Sequence, residues 1–375
     1  MTSSQRIIPK STTIKANAVV VLFLALSFFM SQFYIWSSGL PQFSQIFIVL
    51  AFFIFAIKYK VINLSSIKFL FLFLTYVVLV NSIWFFVNDF DSSYIVSTIY
   101  WLFNFLTFTL LVNLKKESIK LFFEWLLKII FFSYVLELVI WLVGSGRYDF
   151  APRYNGFFND PNQMAFWIIS TASIYLCISE KKLKNLIVLI LAVFLLLLTL
   201  SRSALIGVPF LALAFIAKQK GSVLNKTLFT IFSFVGISII SVYFYSRGFF
   251  DSIISRLILG IEEKGSQIED RGFDALLDYP EHLFFGSGQG GYYLYTPVGN
   301  EIHSTWLGIL FYYGSFGLFL FLAFLYKIFK KLTFAEKILF LGPMFYGFTT
   351  YNARTTIFWF FICIFLIKSK QQGKV

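Results

Sequence analysis

The chain has 375 residues, of which 58% are hydrophobic, 21% aromatic and only 13% charged, and its mean hydropathy is +0.79. Soluble domains are roughly 25% charged and under about 50% apolar. This composition excludes a soluble enzyme, a disordered chain and, despite a net charge of +13, a nucleic-acid-binding domain. Because the strands of an outer-membrane barrel alternate polar and apolar residues, it excludes that class too.

Twelve apolar runs follow one another along the chain, which predicts an all-α polytopic membrane protein with about 12 transmembrane helices. The first run follows a basic segment and is too long for the apolar part of a signal peptide, so we expect a retained first span. The pairs at 186–217 and 338–367 are each split by a short polar break and are either two spans or one broken helix. The runs are 16–37, 43–57, 69–87, 94–114, 121–143, 163–179, 186–200, 204–217, 227–245, 303–325, 338–352 and 355–367.

The charges divide the loops into two sets. Lysines concentrate in the loops 58–68, 115–120, 180–185, 218–226 and 326–337 and in both tails. By the positive-inside rule these segments and both termini face the cytoplasm. The chain is thereby divided into nine spans in 1–245, a large outer loop at 246–302 and three spans in 303–375.

Arginines follow the opposite rule to lysines. Only Arg6 falls on the inner side, and the other seven fall on the outer side: Arg147, Arg153, Arg202, Arg247, Arg256, Arg271 and Arg354. Arginine carries a permanent charge on a planar fork that matches phosphate oxygens. The pattern therefore indicates an anionic ligand at the outer face, and pairing with the outer carboxylates is the alternative for any single arginine.

The large outer loop has patterns of its own. Residues 249–261 have helical periodicity typical of an amphipathic surface helix. Ser266 and Glu269 match a capping box, which predicts a second helix with Arg271 in its first turn that ends before Pro280. The glycine-rich run 286–291 is expected to be a flexible turn and His282 to face solvent.

One ionisable residue lies deep in a predicted span. Glu137 is a functional candidate by position, and a proton-coupled transporter would use such a group. The alternative is a buried carboxyl that is hydrogen-bonded to its neighbours. A flippase of lipid-linked sugars would also show internal inverted repeats, and none is visible.

Four segments together resemble the superfamily of O-antigen polymerases and O-antigen ligases, over roughly residues 145–320. They are Arg153 to Asn162 (RYNGFFNDPN), Thr199 to Ala204 (TLSRSA), Arg271 followed by Ala275, Pro280 and Gly286-x-Gly288, and His303-Ser304 followed after nine residues by Gly314-x-x-Gly317. The Arg-x10-Gly spacing of some polymerases is absent from both outer loops.

The resemblance implies a GT-C-like glycosyltransferase that uses undecaprenyl-pyrophosphate-linked oligosaccharides. It also implies that the membrane is the bacterial inner membrane and that the functional side is in the periplasm. It assigns catalytic roles to Arg202, Arg271 and His303, with the arginines stabilising pyrophosphate and the histidine acting as general base. Arg153, Arg147, Arg256, Tyr292, Tyr293 and Trp306 are candidate substrate-binding residues. No metal and no cofactor is expected. Asp160 is expected to cap a helix, and Gly314 and Gly317 to permit close packing.

The resemblance leaves the reaction partner open. A polymerase would transfer the glycan onto an incoming lipid-linked repeat unit, and a ligase would transfer it onto lipid A-core. Richness in Phe, Ile, Lys and Asn favours the polymerase, because such bias is common in serotype-specific gene clusters, whereas the His-Ser form of the motif is ligase-like. Besides the lipid bilayer, a polysaccharide chain-length regulator is an expected partner.

Overall fold

The computed structural model describes residues 10–36, 42–58, 67–219, 271–296 and 301–372. Within them the chain is helical, and no strand occurs beyond two isolated bridges in the segment 147–156. Two helices have only four residues, α9 and α10. The helices are α1 Lys10–Met30, α2 Phe43–Lys58, α3 Lys68–Val87, α4 Ser92–Val112, α5 Lys116–Leu142, α6 Pro161–Ile178, α7 Lys182–Leu198, α8 Arg202–Lys218, α9 Ala275–Asp278, α10 His282–Phe285, α11 Thr305–Phe329, α12 Phe334–Tyr346 and α13 Thr356–Gln372.

Each apolar run in the described residues corresponds to one of these helices. Four of them, α3, α4, α5 and α11, are long and apolar enough to cross a membrane. Both doubtful pairs form two separate helices, α7 with α8 and α12 with α13. The run 227–245 and the segment 249–261 lie outside the described residues, so the helical membrane class is confirmed while the count of twelve spans stays a prediction.

Helices α6 and α13 form the centre of the bundle. Nearly every residue of α6 from Met164 to Cys177 is buried, and so is α13 from Ile357 to Ile367. A helix that is apolar on all sides needs partners on all sides. Accordingly, α6 packs against α5, α7, α8, α12 and α13, while α13 also packs against α4 and α11. Aromatic rings fill much of the core, as in the edge-on contact of Phe28 with Phe360 at 5.4 Å.

Two basic side chains, Arg153 and Lys218, lie at opposite ends of the bundle. At one end, the Arg153 guanidinium bonds the carbonyl of Thr199 at the end of α7. At the other end, the Lys218 ammonium donates to the carbonyls of Leu176 and Ser179 at the end of α6. We call the first the arginine end. The helix junctions that gather there are α1–α2, α3–α4, α5–α6, α7–α8 and α12–α13, together with the start of α11.

The expected helix before Pro280 is interrupted in its described part. From residue 271 to 279, Arg271 lies in a turn outside any helix and only Ala275–Asp278 is helical. Gly272 explains the difference, since its φ of +65° is left-handed and interrupts a right-handed helix. Ser266 and Glu269 lie outside the described residues.

The glycine-rich run 286–291 is buried, which corrects the expectation of a flexible turn. Its backbone amides at Ser287 and Gly288 donate to the carbonyls of Phe311 and Tyr312 in α11 at 3.0 and 2.9 Å. The Trp84 indole of α3 donates to the Gly286 carbonyl at 2.8 Å. The run therefore forms part of the packed core, and we call it the glycine plug.

His282 is also buried, with 7% of its surface exposed, which corrects the expectation that it faces solvent. Its ring lies 5.2 Å from Trp84, 4.8 Å from Tyr295 and 5.5 Å from Phe311. This burial lowers the pKa of the imidazole below its ordinary value of 6.5, and Glu281 opposes the shift only in part.

We expect His282 to make the fold less stable in acid. The unfolded chain takes up a proton near pH 6.5 that the folded chain does not, so stability is lost as the pH falls below about 6.5. Thermal unfolding in detergent between pH 7.5 and 5.5 should show a smaller pH dependence for His282→Phe than for the wild type. In His303→Gln, which removes the exposed histidine, the dependence should remain. Equal dependence in wild type and His282→Phe would contradict this explanation.

Gly314 interrupts α11 at the glycine plug. Its φ is +66° and its ψ −179°, a region open essentially to glycine alone. A Cβ there would overlap the carbonyl of Phe284. Gly314 therefore permits close packing, as expected, but its neighbour is the segment at Phe284 rather than another long helix.

Gly314→Ala should destabilise the fold by about 3 kcal/mol or more, from backbone strain together with the overlap. Gly144→Ala is the matched control, because Gly144 has a similar φ of +69° and open space around it. It should cost only about 1–2 kcal/mol from backbone strain. Thermal unfolding of the purified variants measures both, and equal losses would show that the Phe284 contact is unimportant.

Candidate functional site

The loop between α5 and α6 places Arg153 against the α7–α8 junction. The amide of Tyr154 donates to the Leu198 carbonyl at 3.0 Å, which fixes the loop to the end of α7. The buried Arg153 side chain then donates from Nε to the Thr199 carbonyl at 3.0 Å and from Nη2 to Oδ1 of Asn162 at 2.8 Å. Because both acceptors are fixed by helix ends, the guanidinium has a defined orientation.

Asn162 joins three elements at this point. Its Oδ1 accepts from Arg153 and from the Ser201 hydroxyl, the latter at 3.0 Å. The Tyr346 hydroxyl at the end of α12 donates to the Asn162 carbonyl at 3.0 Å and lies 3.2 Å from Ser201 Oγ. Asn162 itself lies in the first turn of α6, which Asp160 caps by accepting the Asn162 amide at 2.6 Å, so the predicted cap is confirmed.

Arg202 and Arg271 lie close together beside this cluster. Arg202 is the first residue of α8, directly after Ser201. Partial burial, together with the charge of Arg202, lowers the pKa of the Arg271 guanidinium, and Tyr346 opposes the shift. Among the described residues no carboxylate forms a salt bridge with Arg202 or Arg271. Two neighbouring guanidinium groups of this kind attract an anion.

His303 is tied to Arg271 through the backbone. The amide of His303 donates to the Arg271 carbonyl at 3.0 Å, so the two residues lie side by side. The next residue, Ser304, caps α11 by accepting the Leu307 amide at 3.3 Å. The imidazole is exposed and lines a cavity of about 380 Å³, within the range of about 300–1,000 Å³ typical of small-molecule sites.

The three predicted catalytic residues thus occupy the arginine end. Of the predicted binding residues, Arg153 belongs to the same cluster, and the other described ones make separate contacts. Arg147 bonds the side chain of Asn159. Tyr293 is exposed and donates its hydroxyl to Asp91, and Tyr292 is its half-buried neighbour. The Trp306 indole donates to the Met344 carbonyl at 3.0 Å, between α11 and α12. Arg256 lies outside the described residues.

Glu137 is buried close to the same loop. Its Oε2 accepts from the Tyr154 hydroxyl at 3.1 Å, and Gly156 packs directly against the carboxyl group. This is the arrangement of a carboxyl that holds the α5–α6 loop to α5, which favours the structural alternative over the transporter.

Sequence reasoning missed several residues of this site. Asn162 and Ser201 stand inside the motifs quoted above, but only their contacts with Arg153 and Tyr346 reveal their place in the site. Arg354 was recognised only as an outer arginine, and the structure pairs it with Glu301 at 2.6 Å in the wall of the cavity. Tyr346 has no local signal, because its contacts with Asn162 and Ser201 join parts of the chain far apart in sequence. In the described ranges, no group of three His, Cys, Asp or Glu side chains could hold a metal ion.

Replacing Asn162 should loosen the arginine cluster. Asn162→Leu removes the acceptor of a buried charged donor, which costs about 1.5–3 kcal/mol of stability. Asn162→Asp is the control, because it retains an oxygen for Arg153. Thermal unfolding in detergent should separate the two variants by several degrees. Identical unfolding temperatures would show that Arg153 does not depend on this bond.

Comparison with known proteins agrees with the motifs. A family model described as O-antigen ligase matches residues 187–322, slightly more than a third of the chain. The match includes Arg202, Arg271, His303 and both glycines of the last motif. The resemblance to the O-antigen polymerase and ligase superfamily is therefore confirmed over these residues. A search of curated proteins found no match.

Proposed function

We propose that this chain, a relative of the O-antigen ligases over residues 187–322, is a membrane glycosyltransferase that polymerises a surface polysaccharide. It transfers an undecaprenyl-pyrophosphate-linked glycan onto an incoming lipid-linked repeat unit. The reaction takes place at the arginine end, on the periplasmic side of the inner membrane. The observation that carries the proposal is the grouping of Arg202, Arg271 and His303: the His303 amide donates to the Arg271 carbonyl, and the charge of Arg202 acts on the Arg271 guanidinium.

The chemistry of transfer needs two kinds of group. As the bond between the anomeric carbon and the pyrophosphate oxygen breaks, negative charge builds up on the leaving pyrophosphate. Arg202 and Arg271 supply positive charge and N–H donors at that place, and the fixed Arg153 stands beside them. Positioned charges of this kind stabilise a transition state without needing to reorganise.

The acceptor hydroxyl must lose its proton as it attacks. Imidazole groups titrate near neutral pH and suit this role. His303 lines the cavity and lies next to Arg271, so an acceptor sugar in the cavity would be beside His303, with Arg271 just outside the cavity wall. The proton moves to the His303 imidazole, the new glycosidic bond forms, and the lipid pyrophosphate leaves.

A ligase is the second candidate. The matching family model is described as O-antigen ligase. The same donor chemistry would then serve a different acceptor, lipid A-core. The arginines and His303 have the same roles in both reactions, so only the acceptor distinguishes them.

The test is an assay with the purified protein in nanodiscs and one synthetic lipid-pyrophosphate repeat unit, with EDTA present. A ladder of longer lipid-linked glycans is the result expected of a polymerase that needs no metal. Product only when lipid A-core is supplied would identify a ligase. No product with either acceptor would contradict the proposal and return a transporter to consideration.

Variants assign the roles within the same assay. Arg202→Ala and Arg271→Ala should each lower the transfer rate by about 100-fold or more, the typical effect of losing one preorganised donor. His303→Ala should lower it by about 100- to 10,000-fold. Arg202→Lys keeps the charge but loses the fork and should fall between wild type and Arg202→Ala. Wild-type rates in any alanine variant would remove that residue from the site.

A further inference from the structure

We propose that the cavity beside His303 binds an uncharged sugar of the acceptor, and that the ion pair of Glu301 and Arg354 recognises its hydroxyl groups. This inference rests on the proposed function, since it names what the site accepts. Neither residue belongs to the arginine–histidine group described above, and Arg354 lies beyond the segment matched by the family model. Both line the cavity together with His303.

The pair is strong and faces the cavity. Arg354 Nη2 lies 2.6 Å from Glu301 Oε2, the length of a charge-assisted hydrogen bond. The Glu301 side chain is only 12% exposed, while that of Arg354 is 46% exposed, and its guanidinium lies over the Tyr351 ring at 5.7 Å. Glu301 is thus the fixed partner, and Arg354 has N–H donors that remain accessible.

Glu301 is fixed from behind by the glycine plug. Gln289 donates from Nε2 to Glu301 Oε1 at 3.1 Å. The side-chain amide of Gln289 has one orientation and cannot be flipped, because its Oε1 accepts three hydrogen bonds. They come from Trp101 at 2.8 Å, Tyr351 at 3.0 Å and Tyr313 at 3.2 Å. The Gln289 backbone amide donates to Asn81 Oδ1 at 2.9 Å, which fixes the plug itself.

This support distinguishes the pair from an ordinary surface salt bridge. Surface pairs order two long side chains for little gain in stability. Here a buried network reaching α3, α4 and α11 holds one carboxylate at the cavity wall. A donor and an acceptor fixed side by side form a template for adjacent hydroxyl groups, which both donate and accept.

The charge of the cavity favours an uncharged ligand. Glu301 and Arg354 neutralise each other, unlike Arg202 and Arg271, which form no salt bridge within the described residues. The other carboxylate in the lining is Asp160, which caps α6, so the lining has no excess positive charge that would attract an anion. Much of the remaining polar lining is neutral amide or phenol, including Gln42, Gln163, Asn352, Tyr34 and Tyr100. Such groups pair with hydroxyls, and the tyrosine rings offer apolar faces for a sugar ring.

Asn162 connects this cavity to the arginine cluster. It lines the cavity while its Oδ1 accepts from Arg153 and Ser201. A sugar in the cavity would therefore lie one residue away from the place proposed for the pyrophosphate, with His303 at the boundary. The site is divided into a neutral half for sugar and a cationic half for pyrophosphate.

Saturation-transfer NMR on the full chain in nanodiscs tests the sugar half without any transfer reaction. The probes are methyl glycosides of hexoses, N-acetylhexosamines and hexuronic acids, and inorganic pyrophosphate is a separate anion probe. At least one uncharged glycoside should bind the wild type. Binding should weaken about tenfold or more in Arg354→Gln and in Glu301→Gln/Arg354→Gln, which loses both charges and leaves none unpaired.

Two further variants separate recognition from folding. Arg354→Lys keeps the ion pair with Glu301, so thermal stability should stay near that of the wild type, while glycoside binding should weaken because an ammonium replaces the planar fork. Arg202→Gln should lose pyrophosphate binding and retain the glycoside. The inference would be overturned by wild-type glycoside binding in Arg354→Gln or Arg354→Lys, by a preference for uronic acids, or by no uncharged glycoside binding the wild type. Transfer that fails while these binding results hold would instead refute the proposed function.

Discussion

Irregular backbone at the arginine end must find hydrogen-bond partners inside the protein, and the rest of the site depends on this constraint. Within a bilayer, a non-helical segment is stable only where it is buried in protein or lines a cavity. The segments here use helix ends as partners. The Thr305 amide donates to the Gly347 carbonyl at 2.7 Å, and the Tyr154 amide donates to the Leu198 carbonyl. The amides of the glycine plug donate to carbonyls of α11 just before its interruption at Gly314. Each of these bonds brings a functional side chain to a fixed position.

The same constraint explains why arginines and lysines separate. Lysine needs only a charge near the inner surface to orient the chain. Arg153 and Arg354 instead each bond groups that another segment supplies, Thr199 and Asn162 for the first and Glu301 for the second. A guanidinium can satisfy several acceptors at fixed angles, which suits it to joining irregular segments.

Local patterns predicted the parts of the structure that depend on local physics. The lengths of apolar runs located the helices, and Asp160 before Pro161 located a helix start, because capping involves residues only two positions apart. The environment of His282 could not be read in this way, since its aromatic neighbours come from α3, the long loop and α11. The glycine run was equally ambiguous, because glycines serve both in mobile turns and where backbones touch, and only the partner segment decides between the two.

The arginines illustrate a further limit of sequence reasoning. In the sequence, an arginine in a loop gives no sign of its partner. In the structure, Arg354 forms a salt bridge with a carboxylate, whereas Arg271 has the positive charge of Arg202 nearby. Whether the charge of an arginine is neutralised depends on which carboxylate the fold brings near it. For Arg354 this carboxylate is Glu301, which is 53 positions away in sequence and is held by Gln289. Arginines of equal charge therefore suit different ligands: a compensated one is suited to hydroxyl groups, whereas an adjacent pair is suited to a multivalent anion. The proposed transfer reaction would use both environments, and Asn162 lies between them, in the cavity wall and bonded to Arg153.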